Sequence, residues 1–104
     1  MENGRYNYDI RMMTPLGKRR GNLELTVEGN FLNGYLTMFT RTVPIQRGRI
    51  VDGHITFSGD MRNLMKTLPY RAEGTANDTG VALTVTTELG EYPVFGELTQ
   101  ARGL

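Results

Sequence analysis

Apolar and polar residues alternate with a period of two along almost the whole chain. Tyr6, Tyr8, Ile10 and Met12 take one parity, and Asn7, Asp9 and Arg11 take the other. Leu23, Leu25 and Val27 alternate with Asn22, Glu24, Thr26 and Glu28. Ile55 and Phe57 alternate with His54, Thr56 and Ser58, and Val81, Leu83 and Val85 with Ala82, Thr84 and Thr86. Successive side chains of a strand point to opposite faces, so each run predicts a strand with one face in a core and one in water. Reversal signals separate the runs: Thr14-Pro15-Leu16-Gly17, Glu28-Gly29-Asn30, Asp52-Gly53, Asn77-Asp78-Thr79-Gly80 and Leu89-Gly90-Glu91. Asp52-Gly53 is the strongest of these, because a tight hairpin turn needs positive φ.

The pattern predicts eight strands, over residues 6–14, 21–29, 32–40, 42–51, 54–60, 67–76, 81–88 and 92–99. That spacing is too tight for helical crossovers, and short links favour neighbours in sequence pairing in space. The expected fold class is all-β: an antiparallel up-and-down meander of about eight strands, forming a small barrel or a half-open one. One domain, 1–104, accounts for the whole chain. Pro44, Pro69 and Pro93 are expected at strand beginnings or irregular rims, because proline cannot donate to the ladder. Residues 60–66 are the one place where a helical turn competes with a hairpin tip. The expected inward set is Tyr6, Tyr8, Ile10, Met12, Leu23, Leu25, Val27, Leu36, Met38, Ile45, Ile55, Phe57, Tyr70, Leu83, Val85, Val94 and Leu98.

Composition narrows the function classes. Lysine plus arginine number 12 against 11 acids, a formal charge of +1, so no strong long-range field calls for nucleic acid or an acidic membrane. Cysteine is absent, which removes disulfides, thiolate nucleophiles and cysteine-ligated metals. With no long apolar run and a polar start from Met1 to Tyr8, the expected setting is cytoplasmic, without a membrane partner.

A loose internal repeat is visible: Thr14-Pro15-Leu16-Gly17 is echoed by Thr87-Glu88-Leu89-Gly90. Reuse of one turn chemistry by two hairpins accounts for it. Other pieces follow in order: Leu23 to Gly29, Leu32 to Leu36, Val43-Pro44-Ile45, Val51-Asp52-Gly53, and Gly90 to Gly96 as a closing Gly-Glu-x-Pro-x-x-Gly strand. Together they resemble a family of small β domains in bacterial proteins, often appended to hydrolases such as amidohydrolases. Such domains are similar to calycin-like (lipocalin-like) barrels, some of which are half-barrels completed by dimerisation. The resemblance implies a fold and an accessory role, and it carries over no catalytic motif. Residues 60–69, richer in Met and Lys than the family's usual hairpin, depart from the family pattern.

The candidate chemistry is thin. His54 shares parity with Asp52 and Ser58, but i,i+2 partners on a strand lie about 7 Å apart, beyond nucleophile–base reach. One histidine with scattered carboxylates has no metal-ligand spacing. No catalytic residue, metal or cofactor is therefore expected, and the domain is read as non-enzymatic. Arg19, Arg20, Arg41 and Arg47, with aromatics between them, would suit a single-stranded nucleic acid only if they converged on one face, a reading the near-zero charge disfavours. The third strand is apolar on both faces, and Phe31, Tyr35, Phe39 and Phe95 are expected to form a homodimer surface, unless some of these rings cap the barrel end. Gly34, Ala72, Gly74 and Gly96 are small at inward parity and could leave a cavity. Met12, Leu36, Met38, Phe57 and Tyr70 are the expected walls for a small apolar ligand, with Met61 or Met65 adding an adaptable lining.

Overall fold

The computed structural model describes residues 1–62 and 66–103. It is an all-antiparallel β structure of nine strands: β1 (Gly4–Thr14), β2 (Gly17–Glu28), β3 (Phe31–Met38), β4 (Arg41–Pro44), β5 (Gln46–Val51), β6 (His54–Arg62), β7 (Thr67–Ala76), β8 (Gly80–Thr87) and β9 (Gly90–Arg102). Their order is β2-β1-β9-β8-β7-β6-β5-β3-β4, and β2 also pairs with β3. That last pairing closes eight strands into an up-and-down barrel and leaves β4 as an extra strand on β3. Of the two expected forms, the closed one is found. A walk across aligned pairs from Glu28 through Phe31, Arg49, Thr56, Glu73, Thr84 and Pro93 comes back to β2 near Lys18, at its other end. Closing a sheet requires such a stagger, because the strands must tilt against the barrel axis.

The expected fourth strand, 42–51, is divided. Register slips between Gln46 and Arg49, and Arg47 has φ 55°. The extra residue flips the parity: Val43 and Ile45 point inward before it, Gly48 and Ile50 after it. β4 thus follows the far end of β3 while β5 holds Phe31 and Leu32. Bulges sharpen local twist, which is how a small barrel turns a corner.

The expected inward residues face the barrel interior. Tyr8, Ile10, Leu23, Leu25, Val27 and Ile55 form its fully buried centre. Met12, Val85 and Leu98 are only half-buried. Leu32, Val43, Ile50, Ala76 and Val81 complete the core beyond the expected set. Pro69 and Pro93 stand one residue before β7 begins to pair with β8 and β9 with β1, and Pro44 ends β4, so all three avoid doubly paired ladder positions. Asp60 and Met61 continue β6 as strand; the rest of the expected helical turn, at 63–65, lies outside the described residues.

One end of the barrel is plugged. The Tyr8 hydroxyl donates to the Asn77 carbonyl at 2.8 Å, and Asn30 donates to the Ile50 carbonyl at 2.8 Å. The Asn77 side chain accepts from the backbone of Thr79 and Gly80 and so braces the β7–β8 turn across the same end.

Candidate functional site

The opposite end is open. A cavity of about 580 Å³ occupies the barrel mouth, half enclosed by protein. Its wall comes from the hairpins that end there: Thr14, Pro15 and Leu16 between β1 and β2, Phe39 between β3 and β4, Met61 and Leu68 from β6 and β7, and Thr87, Leu89 and Tyr92 from β8 and β9. Met12, Tyr70 and Val85 line it from deeper in the barrel, and among the described residues Arg19 is the one charged side chain on its wall. The lining is overwhelmingly apolar, the composition of a site for small organic molecules.

Tyr70 is the best-defined part of this wall. It is 96% buried, packs edge-on against Phe57 with centroids 6.1 Å apart, and its hydroxyl has no hydrogen-bond partner. Directly across the ladder stands Gly59. A Cβ at Gly59 would lie 2.8 Å from the Tyr70 hydroxyl and 2.9 Å from the ring, so the absence of a side chain there is what lets the ring lie down. Burial pushes the Tyr70 phenol well above its ordinary pKa of 10.0, and the nearby Asp60 charge adds to the shift. The hydroxyl is a neutral donor at physiological pH.

Of the expected ligand walls, Met12 and Tyr70 line the cavity, and Met61 joins them. Leu36, Met38 and Phe57 are buried in packed core and do not reach it. Met65 lies outside the described residues. The small inward positions do not make the space either. A Cβ at Gly96 would meet Ile10 at 2.6 Å and Val81 at 3.1 Å, so large neighbours already fill that room. The cavity exists because core residues run out where the strands end. Leu16, Leu89 and Tyr92 were not foreseen as walls; their sequence signal is that each sits in or beside a hairpin turn, where an apolar residue has no core to enter.

The four aromatics expected to form one surface are all about half exposed, but they are spread out. Phe31 and Phe39 stand at opposite ends of β3, and Phe95 is on β9, with β1 and β2 between. Each has its own setting: Phe39 lines the mouth, Arg49 lies over the Phe31 ring at 4.7 Å, and Tyr35 faces Glu24 and Pro44 across the ladder. The arginines divide likewise. Arg19, Arg20 and Arg41 are near the mouth, whereas Arg47 lies with Arg49 and Phe31 toward the plugged end.

Asp52, His54 and Ser58 do not converge. Asp52 shapes the β5–β6 turn with φ 50°, His54 lies 3.9 Å from Glu73, and the Ser58 hydroxyl is turned to the Gln46 carbonyl. Among the described residues no group of three or more His, Cys, Asp or Glu side chains is placed to hold a metal ion. Set against known proteins, the chain matches no family model, no curated protein and no solved structure.

Proposed function

We propose that this domain is a non-enzymatic module that takes a small apolar or amphipathic molecule into the mouth of its barrel. The observation that carries the reading is the half-enclosed apolar cavity of about 580 Å³, floored by Tyr70 and with the cationic side chain of Arg19 on its wall. Eight-stranded barrels are wide enough to hold one small ligand. Arg19 at the lip favours a ligand whose polar end is anionic, and the unpartnered Tyr70 hydroxyl offers a donor to an acceptor atom that reaches the floor. The resemblance to calycin-like barrels points to the same use of the open end. The scattering of Asp52, His54 and Ser58 offers a catalytic reading no support.

The test is a titration with 1-anilinonaphthalene-8-sulfonate followed by displacement with dodecanoate and dodecanol. A single saturable site is expected, with dodecanoate the stronger competitor. Val85→Trp, which fills the cavity from its wall, is expected to abolish probe binding without lowering the melting temperature. Probe fluorescence that fails to saturate, or that survives Val85→Trp in a folded protein, overturns the reading. A homodimer without ligand is the second reading. It has less support, because Phe31, Tyr35, Phe39 and Phe95 do not share one patch.

A further inference from the structure

The repeated motif acquires a meaning in three dimensions. Thr14-Pro15-Leu16-Gly17 and Thr87-Glu88-Leu89-Gly90 are the same turn, used twice at the same end of the barrel. In the first, the Thr14 hydroxyl accepts from the Leu16 amide at 3.2 Å and donates to the Gly17 carbonyl at 2.7 Å. In the second, the Thr87 hydroxyl accepts from the Leu89 amide at 3.0 Å and donates to the Gly90 carbonyl at 3.4 Å. Gly17 and Gly90 supply the positive φ, 111° and 138°, that closes each turn. Each copy holds a leucine out at its tip, 84% exposed at Leu16 and 69% at Leu89.

A third tip at this end carries Phe39, in a place where turn chemistry argues against it. Phe39 and Thr40 have φ 53° and 62°, the pair of left-handed positions that normally takes Asn-Gly. A β-branched residue there is a backbone outlier, and such outliers gather at functional sites. The other exposed large apolar side chains toward the barrel's middle and plugged end, Phe31, Tyr35, Val51 and Phe95, are on strands rather than at turn tips.

Charge is sorted along the same axis. The mouth-end turns carry Lys18, Arg19 and Arg20 after Leu16, and Arg41 after Phe39-Thr40. Glu88 at this end is engaged by Lys66 at 2.6 Å, leaving Asp60 and Glu91 as the other described acids near the mouth. The turns of the plugged end carry Glu28, Asp52 and Asp78 and no lysine or arginine. The near-balance of the whole chain conceals a basic, apolar-tipped mouth, while at the plugged end Arg5, Arg47, Arg49 and Arg102 on the strands offset the acidic turns.

We propose that the mouth end docks onto an anionic lipid bilayer, with Leu16, Leu89 and Phe39 entering the headgroup–acyl boundary and Lys18, Arg20 and Arg41 meeting the headgroups. Apolar tips with flanking cations are the recipe for interfacial binding. The threonine hydroxyls serve it directly. They take up the Leu16 and Leu89 amides and bond the Gly17 and Gly90 carbonyls, so each tip brings fewer open backbone groups into a medium poor in water. The cavity mouth would then open onto the bilayer surface.

The experiment is flotation of the full chain with vesicles of phosphatidylcholine alone and of phosphatidylcholine with 30 mol% phosphatidylglycerol, roughly the anionic content at which such electrostatic attraction is felt. Binding is expected to the mixed vesicles only and to weaken with salt. Lys18→Gln/Arg20→Gln/Arg41→Gln should reduce it roughly fivefold per charge, and Leu16→Ser/Leu89→Ser at least about tenfold, with unchanged far-ultraviolet dichroism in both. Absence of binding to the mixed vesicles, or binding indifferent to both variants, overturns the proposal. So does a dimer in light scattering that Leu16→Ser/Leu89→Ser dissolves while vesicles are ignored, since a second copy would then cover the tips. Probe uptake measured without vesicles is independent, so either proposal can fail alone.

Discussion

Two buried tyrosines treat their hydroxyls in opposite ways. Tyr8 is fully buried and donates to the Asn77 carbonyl, whereas Tyr70 is as well packed and donates to nothing. An unpaired buried polar group costs about 1–3 kcal/mol, while a made hydrogen bond contributes only about 1 kcal/mol net. Tyr70→Phe is therefore expected to raise stability in urea denaturation, and Tyr8→Phe to lower it by about 1–2 kcal/mol, because the Asn77 carbonyl loses its donor. If Tyr70→Phe also weakens binding of dodecanoate, the idle hydroxyl is being kept for a ligand. Gly59→Ala tests the floor from the other side of the ladder. Its Cβ would press on the Tyr70 ring, and the expected result is a loss of about 1–3 kcal/mol, the usual cost of overpacking, together with altered probe affinity.

Among elements, the β3–β4 hairpin and the β4–β5 break depart furthest from local preference. The hairpin places Phe39-Thr40 where Asn-Gly would be unstrained. Phe39→Asn/Thr40→Gly is expected to stabilise the fold by about 1–2 kcal/mol, from the cost of left-handed backbone in residues with a Cβ. A thermal melt checks this, and vesicle binding should fall as stability rises, a trade typical of residues kept for function. The β4–β5 break shows why alternation alone mislocates a core. Parity counting carries Val43 and Ile45 inward but would leave Ile50 outside, and the inserted residue at the bulge reverses that. Elements without a bulge, such as β8 with Val81 and Leu83, could be read straight from the chain.

For the whole molecule, closure is the decisive fact. The β2–β3 pairing joins the two edges that a half-open form would have needed a partner to cover, leaving the short β4 with an unpaired side. It also buries Tyr8 and Tyr70 together inside one barrel, with consequences at high pH. Burial raises both phenols above their ordinary value of 10.0, and the unfolded chain regains that ordinary value. Below pH 10 both tyrosines are protonated in both states and this contribution to stability is whole. As pH rises past 10, the unfolded state sheds protons that the folded state retains, so stability falls. Urea midpoints measured from pH 8 to 11 should be steady in this respect and then decline, with phenolate absorbance of the buried pair appearing only as the chain unfolds.

Alternation and turn residues by themselves determined an antiparallel meander, most of its inward face, and the site of nearly every reversal, because these depend on one side chain and its immediate neighbours in the chain. They also contained the Thr-x-Leu-Gly repeat, without its use. Tertiary structure alone decided that the ring closes, that the glycines leave no hollow in the middle, and that the expected aromatic patch is dispersed. It alone gathered Leu16, Phe39 and Leu89 with the cations at one mouth, since which turns meet at a barrel's end is set by stagger and strand order, quantities that span the whole chain.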